Sequence, residues 1–119
     1  MAKILLVDDV YTARSMTERV LKHVGRYEVI AVGSGEEAIA AATECTPDVI
    51  VLDISMAGMD GLSTLRALRA QGITTPVVAY TARTERALGE FVGQGFDAYV
   101  QKNGNLSNLL TTIREIVGK

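Results

Sequence analysis

Five short apolar runs, each followed by a stretch of different character, constrain this chain more than any other feature. They are Lys3–Val7 ("KILLV"), Glu28–Val32 ("EVIAV"), Asp48–Asp53 ("DVIVLD"), Pro76–Thr81 ("PVVAYT") and Asp97–Gln101 ("DAYVQ"). Runs this short and this apolar read as strands buried on both faces. The segments between them have room for helices, and parallel strands need such right-handed helical crossovers. The expected fold is therefore α/β: five parallel strands in one sheet, with helices on both faces.

The intervening segments support this. Over Thr12–Val24, Ala13, Met16, Val20 and Val24 recur at helical spacing, and Gly25 is positioned to end the helix. "SGEE" is a capping box in which Ser34 accepts from the Glu37 amide and the Glu37 side chain reaches back. The helix it opens runs from Gly35 to about Cys45 and stops before Pro47. A turn over Gly58–Gly61 leads into a third helix with Leu62, Leu65 and Leu68 on one face, closing at Gly72. A fourth, about Thr84–Val92, contains Gly89 and precedes Gly93 and Gly95, so it is expected to be the least stable. Asn105 is the expected cap of a last helix striped by Leu106, Leu109, Leu110, Ile113 and Val117.

Composition narrows the function classes. The 119 residues, expected to form one domain over 1–119, are 48% hydrophobic and 22% charged, with a net charge of −2. There is no basic run to track nucleic acid, and the apolar runs are too short to span a membrane. "MAKILLVDD" lacks a signal peptide's basic start and cleavage site, so the expected location is cytoplasmic. Met1 and the finish just after the last helix suggest a whole protein rather than a fragment. The single cysteine, Cys45, cannot form an internal disulfide and reads as a small hydrophobe.

The chemistry gathers where the strands end. In open parallel sheets, sites lie beyond the carboxyl ends of the strands. There the chain puts Asp8 and Asp9 after strand one, Asp53 at the end of strand three, Thr81 at the end of strand four and Lys102 after strand five. Asp8 and Asp9 alone would read as helix caps; with Asp53 and Lys102 present, a shared site is the better reading. Carboxylates 4–6 Å apart repel by a few kcal/mol per pair at an effective dielectric near 20. A divalent cation relieves this, and all-oxygen ligands without His or Cys point to Mg²⁺, with Mn²⁺ or Ca²⁺ as alternatives. Magnesium commonly brings a phosphate oxygen with it, to which Thr81 and Lys102 offer a hydroxyl and an ammonium. Asp53, the central acid, is the candidate nucleophile for an aspartyl phosphate.

"LLVDDV", "DVIVLDISMAGMDG", "VVAYTA" and "GFDAYVQK" together resemble the receiver domain of bacterial response regulators over the whole chain, in a single-domain, CheY-like form. The resemblance, not the residue pattern, implies the flavodoxin-like strand order 2-1-3-4-5. It implies that Asp53 accepts a phosphoryl group from a histidine kinase or His-phosphotransfer protein in a two-component phosphorelay. It implies that Mg²⁺ is held by Asp9 directly, by Asp8 largely through water, by Asp53 and by the backbone carbonyl of Ser55. Thr81 would hydrogen-bond the phosphoryl group, Lys102 would pair with it, and Tyr99 would be the aromatic that turns inward when Thr81 moves. Output would reach a downstream protein target through the face of the fourth helix, fifth strand and fifth helix. The chain would catalyse only its own phosphorylation and dephosphorylation.

Two departures stand out. Lys102 is followed by Asn103 where the family usually has proline, leaving a trans peptide with a reshaped loop or a strained cis one. Ala57 replaces a common proline in the turn after Asp53. Ser55 and Arg83 stand two residues beyond Asp53 and Thr81, and a long Arg83 is expected to shield an acyl phosphate from water and slow its loss.

Other readings compete. A flavin or nucleotide site would want phosphate-binding loops where Asp8 and Asp9 stand. An aspartate-dependent phosphatase would want a second acid at position 55, which is serine. A degenerate receiver would bind a partner without phosphorylation, and a phosphate sink would only drain a shared kinase. Tyr99 also suits plain strand core; Tyr80 is expected to pack, on the opposite pleat from Thr81. Tyr11 is a docking contact or a surface ring, and His23 suits a helix C-terminus.

Overall fold

The computed structural model describes residues 2–54, 56, 58–82, 95–102 and 106–118. Within these the chain runs β1 (Lys3–Val7), α1 (Tyr11–His23), β2 (Glu28–Val32), α2 (Gly35–Cys45), β3 (Val49–Leu52), α3 (Gly61–Ala70), β4 (Val77–Thr81), β5 (Ala98–Gln101) and α4 (Ser107–Val117). All five strands are parallel, in the order β2-β1-β3-β4-β5. This is the fold and strand order expected above. The helix expected over Thr84–Val92 lies outside the described residues, as do Ser55, Ala57, Arg83, Asn103 and Asn105.

Alternation along the strands builds two cores. Ile4 and Leu6 of β1, Val49 and Val51 of β3, and Val78 and Tyr80 of β4 point to one face, where Leu21 of α1 and Leu109 and Ile113 of α4 cover them. Leu5 and Val7, Ile50 and Leu52, and Val77 point to the other, under Ala38 and Ala42 of α2 and Leu65 and Leu68 of α3. With both faces covered, β1, β3 and β4 carry hydrophobic side chains at nearly every position.

The helix starts follow from local side-chain chemistry. Ser34 Oγ accepts from the Glu37 amide at 3.1 Å. The return bond goes one residue further than expected: Glu37 Oε1 accepts from the Gly33 amide at 3.2 Å. Asp60 caps α3 by accepting from the Ser63 amide at 2.8 Å. Helix α4 begins after Leu106, whose own side chain makes no cap bond.

Helix α1 differs from its expected face. Met16 and Val24 are 65% and 60% exposed, while Thr17 and Leu21 are buried and Val20 packs against the core from the side. A shift of one residue turns a helix by about 100°, and polar Thr17 on the buried face hid the true stripe from a reading of apolar period. Gly25 does not supply the left-handed residue after α1 either; Arg26 does, at φ 62°. Glycine suits position 25 because a Cβ there would lie 2.7 Å from the Tyr27 ring and 2.9 Å from the Leu21 carbonyl.

Candidate functional site

Register brings the acids together. Val7 pairs with Leu52 across the β1–β3 boundary, so Asp8 and Asp53 leave adjacent strands side by side. Their backbones are pinned: the Asp53 amide donates to the Val7 carbonyl at 3.0 Å and the Asp8 amide to the Val32 carbonyl at 3.1 Å. Asp9 follows at the mouth. One carboxylate oxygen from each of Asp8, Asp9 and Asp53 lies within 4.8 Å of the others, with Asp8 and Asp53 buried and Asp9 more open. Thr81 ends β4 fully buried, and the Lys102 amide donates to its carbonyl at 2.6 Å, which brings the lysine to the same edge.

Lys102 is the counter-charge. Its Nζ donates to Asp8 Oδ2 at 2.6 Å and lies 3.4 Å from Asp53 Oδ2. Burial alone would lower its pKa, but the hydrogen bond to Asp8 and the charges of Asp53 and Asp8 outweigh that and raise it, so the ammonium stays protonated. Among the described residues, this ammonium stands beside three carboxylates.

Asp8 is held on every side. Besides its amide bond and Lys102, its Oδ1 accepts from the Val10 amide at 3.0 Å and its carbonyl accepts from Arg14 Nη1 at 2.8 Å. Arg14 was not singled out from the sequence; a basic residue one turn into the helix that follows an acidic pair is the signal that would have found it. Gly61 was read only as turn. A Cβ there would lie 2.5 Å from the Ile54 Cα and 2.7 Å from the Asp53 carbonyl, so the start of α3 presses on the backbone that carries Asp53.

The aromatic residues divide. Tyr99 is partly buried, packs against Ile54 and Ala79, and meets Phe96 edge-on at 5.7 Å between ring centroids. Burial raises its pKa. Tyr80 packs in the core as expected, but its ring also lies under Lys102 Nζ, 5.4 Å from the centroid. Burial raises the Tyr80 pKa; Lys102 pulls it down and Asp8 pushes it up. Tyr11 is 70% exposed and lies 5.4 Å from the Arg14 guanidinium. His23 stands in the last turn of α1, and Cys45 is half-buried at the end of α2.

Ionised carboxylates are acceptor-only groups, and this trio, two buried and one open to water, fits a hard, oxygen-seeking divalent cation that keeps part of its hydration shell. No helix among the described residues is long and apolar enough to cross a membrane.

Known proteins give the arrangement its context. Residues 4–114 match the family model of the response regulator receiver domain. The chain is 34% identical over 116 residues to a nitrate/nitrite response regulator protein homolog of Haemophilus influenzae, covering 96% of this chain and 56% of that protein. It is 36% identical over 118 residues to the transcriptional regulatory protein PrrA of Mycobacterium tuberculosis, covering 97% and 49%. The chain thus spans about half the length of these curated relatives. Among solved structures, chemotaxis protein CheY4 of Vibrio cholerae is similar with a TM-score of 0.87 and 34% identity, over 98% of both chains. Response regulator TrrA of Thermotoga maritima, in complex with Mg²⁺ and BeF, is similar with a TM-score of 0.87 and 28% identity, over 98% and 99%. With its acids, threonine and lysine at the strand ends of a matching fold, this chain belongs to the receiver domain family of two-component response regulators.

Proposed function

We propose that residues 1–119 form one receiver domain that works as a phosphoryl-accepting switch, with Asp53 as the acceptor. The observation that carries this reading is the meeting of three carboxylates and one lysine from three separate segments at one sheet edge. An Asp53 oxygen forms a bond to phosphorus while the bond from phosphorus to a donor's imidazole nitrogen breaks, and that nitrogen leaves with the electron pair. Bound Mg²⁺ would supply charge neutralisation to the transferring group. Asp8, Asp9, Asp53 and the carbonyl of Ser55 would hold it; Ser55 lies outside the described residues. Lys102 offers its ammonium, and Thr81 its hydroxyl, to the phosphoryl oxygens.

The donor in this reading is a histidine kinase or His-phosphotransfer protein, and the output is binding to a downstream protein. Thr81 and Tyr99 would form the switch, biasing the face made by the segment after β4, by β5 and by α4. The chain would have no activity beyond its own phosphorylation and dephosphorylation and would work in the cytoplasm. Arg83, outside the described residues, would slow loss of the phosphoryl group.

The test is incorporation of phosphate from a small phosphodonor, with and without Mg²⁺, into wild type and Asp53→Asn. Incorporation that needs both Mg²⁺ and Asp53 is expected. A folded wild type that takes up nothing would leave a phosphorylation-independent binding module in place of a switch.

A further inference from the structure

Lys102 needs to be aimed, and its acids alone do not aim it. Its side chain is a flexible four-carbon stem ending in a compact charge. It borders a cavity of about 160 Å³ that is also lined by Ala13, Met16, Thr17, Tyr80 and Leu106, and Met16 leaves this side open to solvent at 65% exposure. The stem therefore has space to swing away from the sheet edge. Asp8 and Asp53 oppose that swing, but carboxylates engaged with a cation hold an ammonium less tightly. The Tyr80 ring is a partner of another kind. Its centroid is 5.4 Å from Nζ, inside the reach of a cation–π attraction, and no metal ion competes for it. The ring is itself fixed: it is only 6% exposed, and β4 pairing sets Tyr80 against Val100.

We propose that Tyr80 is a positioning residue for Lys102, holding the ammonium at the cavity wall so that it stays directed at Asp53 whether or not the acids carry a cation. The inference rests on the acceptor role of Asp53 proposed above. It concerns the ring and not the hydroxyl, so phenylalanine should replace tyrosine and an aliphatic residue should not.

The experiment compares wild type, Tyr80→Phe and Tyr80→Leu by three readouts: the phosphorylation rate with a small phosphodonor, the Kd for Mg²⁺, and the ring-current shift of the Lys102 side-chain protons by NMR. Tyr80→Phe should keep the rate within twofold and keep the shift. Tyr80→Leu should slow the reaction five- to tenfold and lose the shift, with the Kd for Mg²⁺ within twofold because Tyr80 is not among the proposed cation ligands. Tyr80→Met, longer and more adaptable than leucine, serves as a second variant without a ring should leucine fail to fold. A ringless variant at the wild-type rate overturns the proposal, as does Tyr80→Phe as slow as Tyr80→Leu. Absence of phosphate uptake by the wild type would sink the acceptor reading; the NMR shift then decides the positioning alone, its presence supporting it and its absence overturning it.

Discussion

Lys102 Nζ lies 2.6 Å from Asp8 Oδ2 and 3.4 Å from Asp53 Oδ2, so the lysine is held more closely by the acid that follows β1 than by the proposed acceptor that follows β3. The three carboxylates stand close enough to repel one another, and binding of a divalent cation should relieve that repulsion.

The first prediction follows from that repulsion. Adding Mg²⁺ should raise the thermal midpoint of the wild type progressively, by about 2.7 kcal/mol of stability at a hundredfold excess over Kd. Asp9→Asn should abolish most of that dependence and, without Mg²⁺, should be no less stable than wild type, because it removes like-charge repulsion. Thermal scans over a Mg²⁺ series check both statements; an Asp9→Asn protein that responds like wild type contradicts them.

Alkali should act through Lys102 and Tyr80. Both have pKa values raised by folding, so the native state keeps protons that the unfolded chain gives up. Their contribution is complete below the ordinary lysine and tyrosine ranges and is lost as pH rises from about 10 through the raised values. Stability measured by urea titration should fall over that window, and Lys102→Met should flatten the fall without removing it.

Gly61→Ala should damage both fold and site. The added methyl would meet the Ile54 Cα at 2.5 Å and the Asp53 carbonyl at 2.7 Å, and neither is the end of a flexible side chain. A loss of about 1–3 kcal/mol is expected. Phosphorylation by a small donor should slow as well, since the backbone that shifts is the one carrying Asp53.

Asp97 offers a control far from the site. Its Oδ2 accepts from the Val77 amide at 2.8 Å and lies 3.5 Å from Arg69 Nη2, tying α3 to the starts of β4 and β5. Asp97→Ala leaves the Val77 amide without that acceptor and should cost about 1–3 kcal/mol. Asp97→Asn, which keeps an acceptor, should cost less than half as much. Neither should change the Kd for Mg²⁺.

The legible parts of the chain were those where one local rule decides. Both ends of β2 and α2 match their expected residues because Ser34, Pro47 and the apolar run "EVIAV" act on immediate neighbours. Asp8, Asp9, Asp53, Thr81 and Lys102 were legible as a set because each ends or directly follows a strand of a parallel sheet, where topology alone makes them converge. The rest depended on side-chain volumes in three dimensions. Period alone could not say that Thr17 would be buried while Met16 faced solvent. Spacing gave no sign that the Tyr80 ring would meet Lys102 or that Gly61 would press on Asp53.

The separation of 94 positions between Asp8 and Lys102 carries a consequence for assembly. Contacts between residues so far apart in sequence form slowly, and β1 and β3 sit side by side without any pairing to β5. Any route that joins them first passes through an intermediate whose crowded anions have no native ammonium beside them. Dissolved divalent ions should speed refolding through that intermediate, and a nascent chain made only as far as β4 would have to wait for its own neutraliser to emerge.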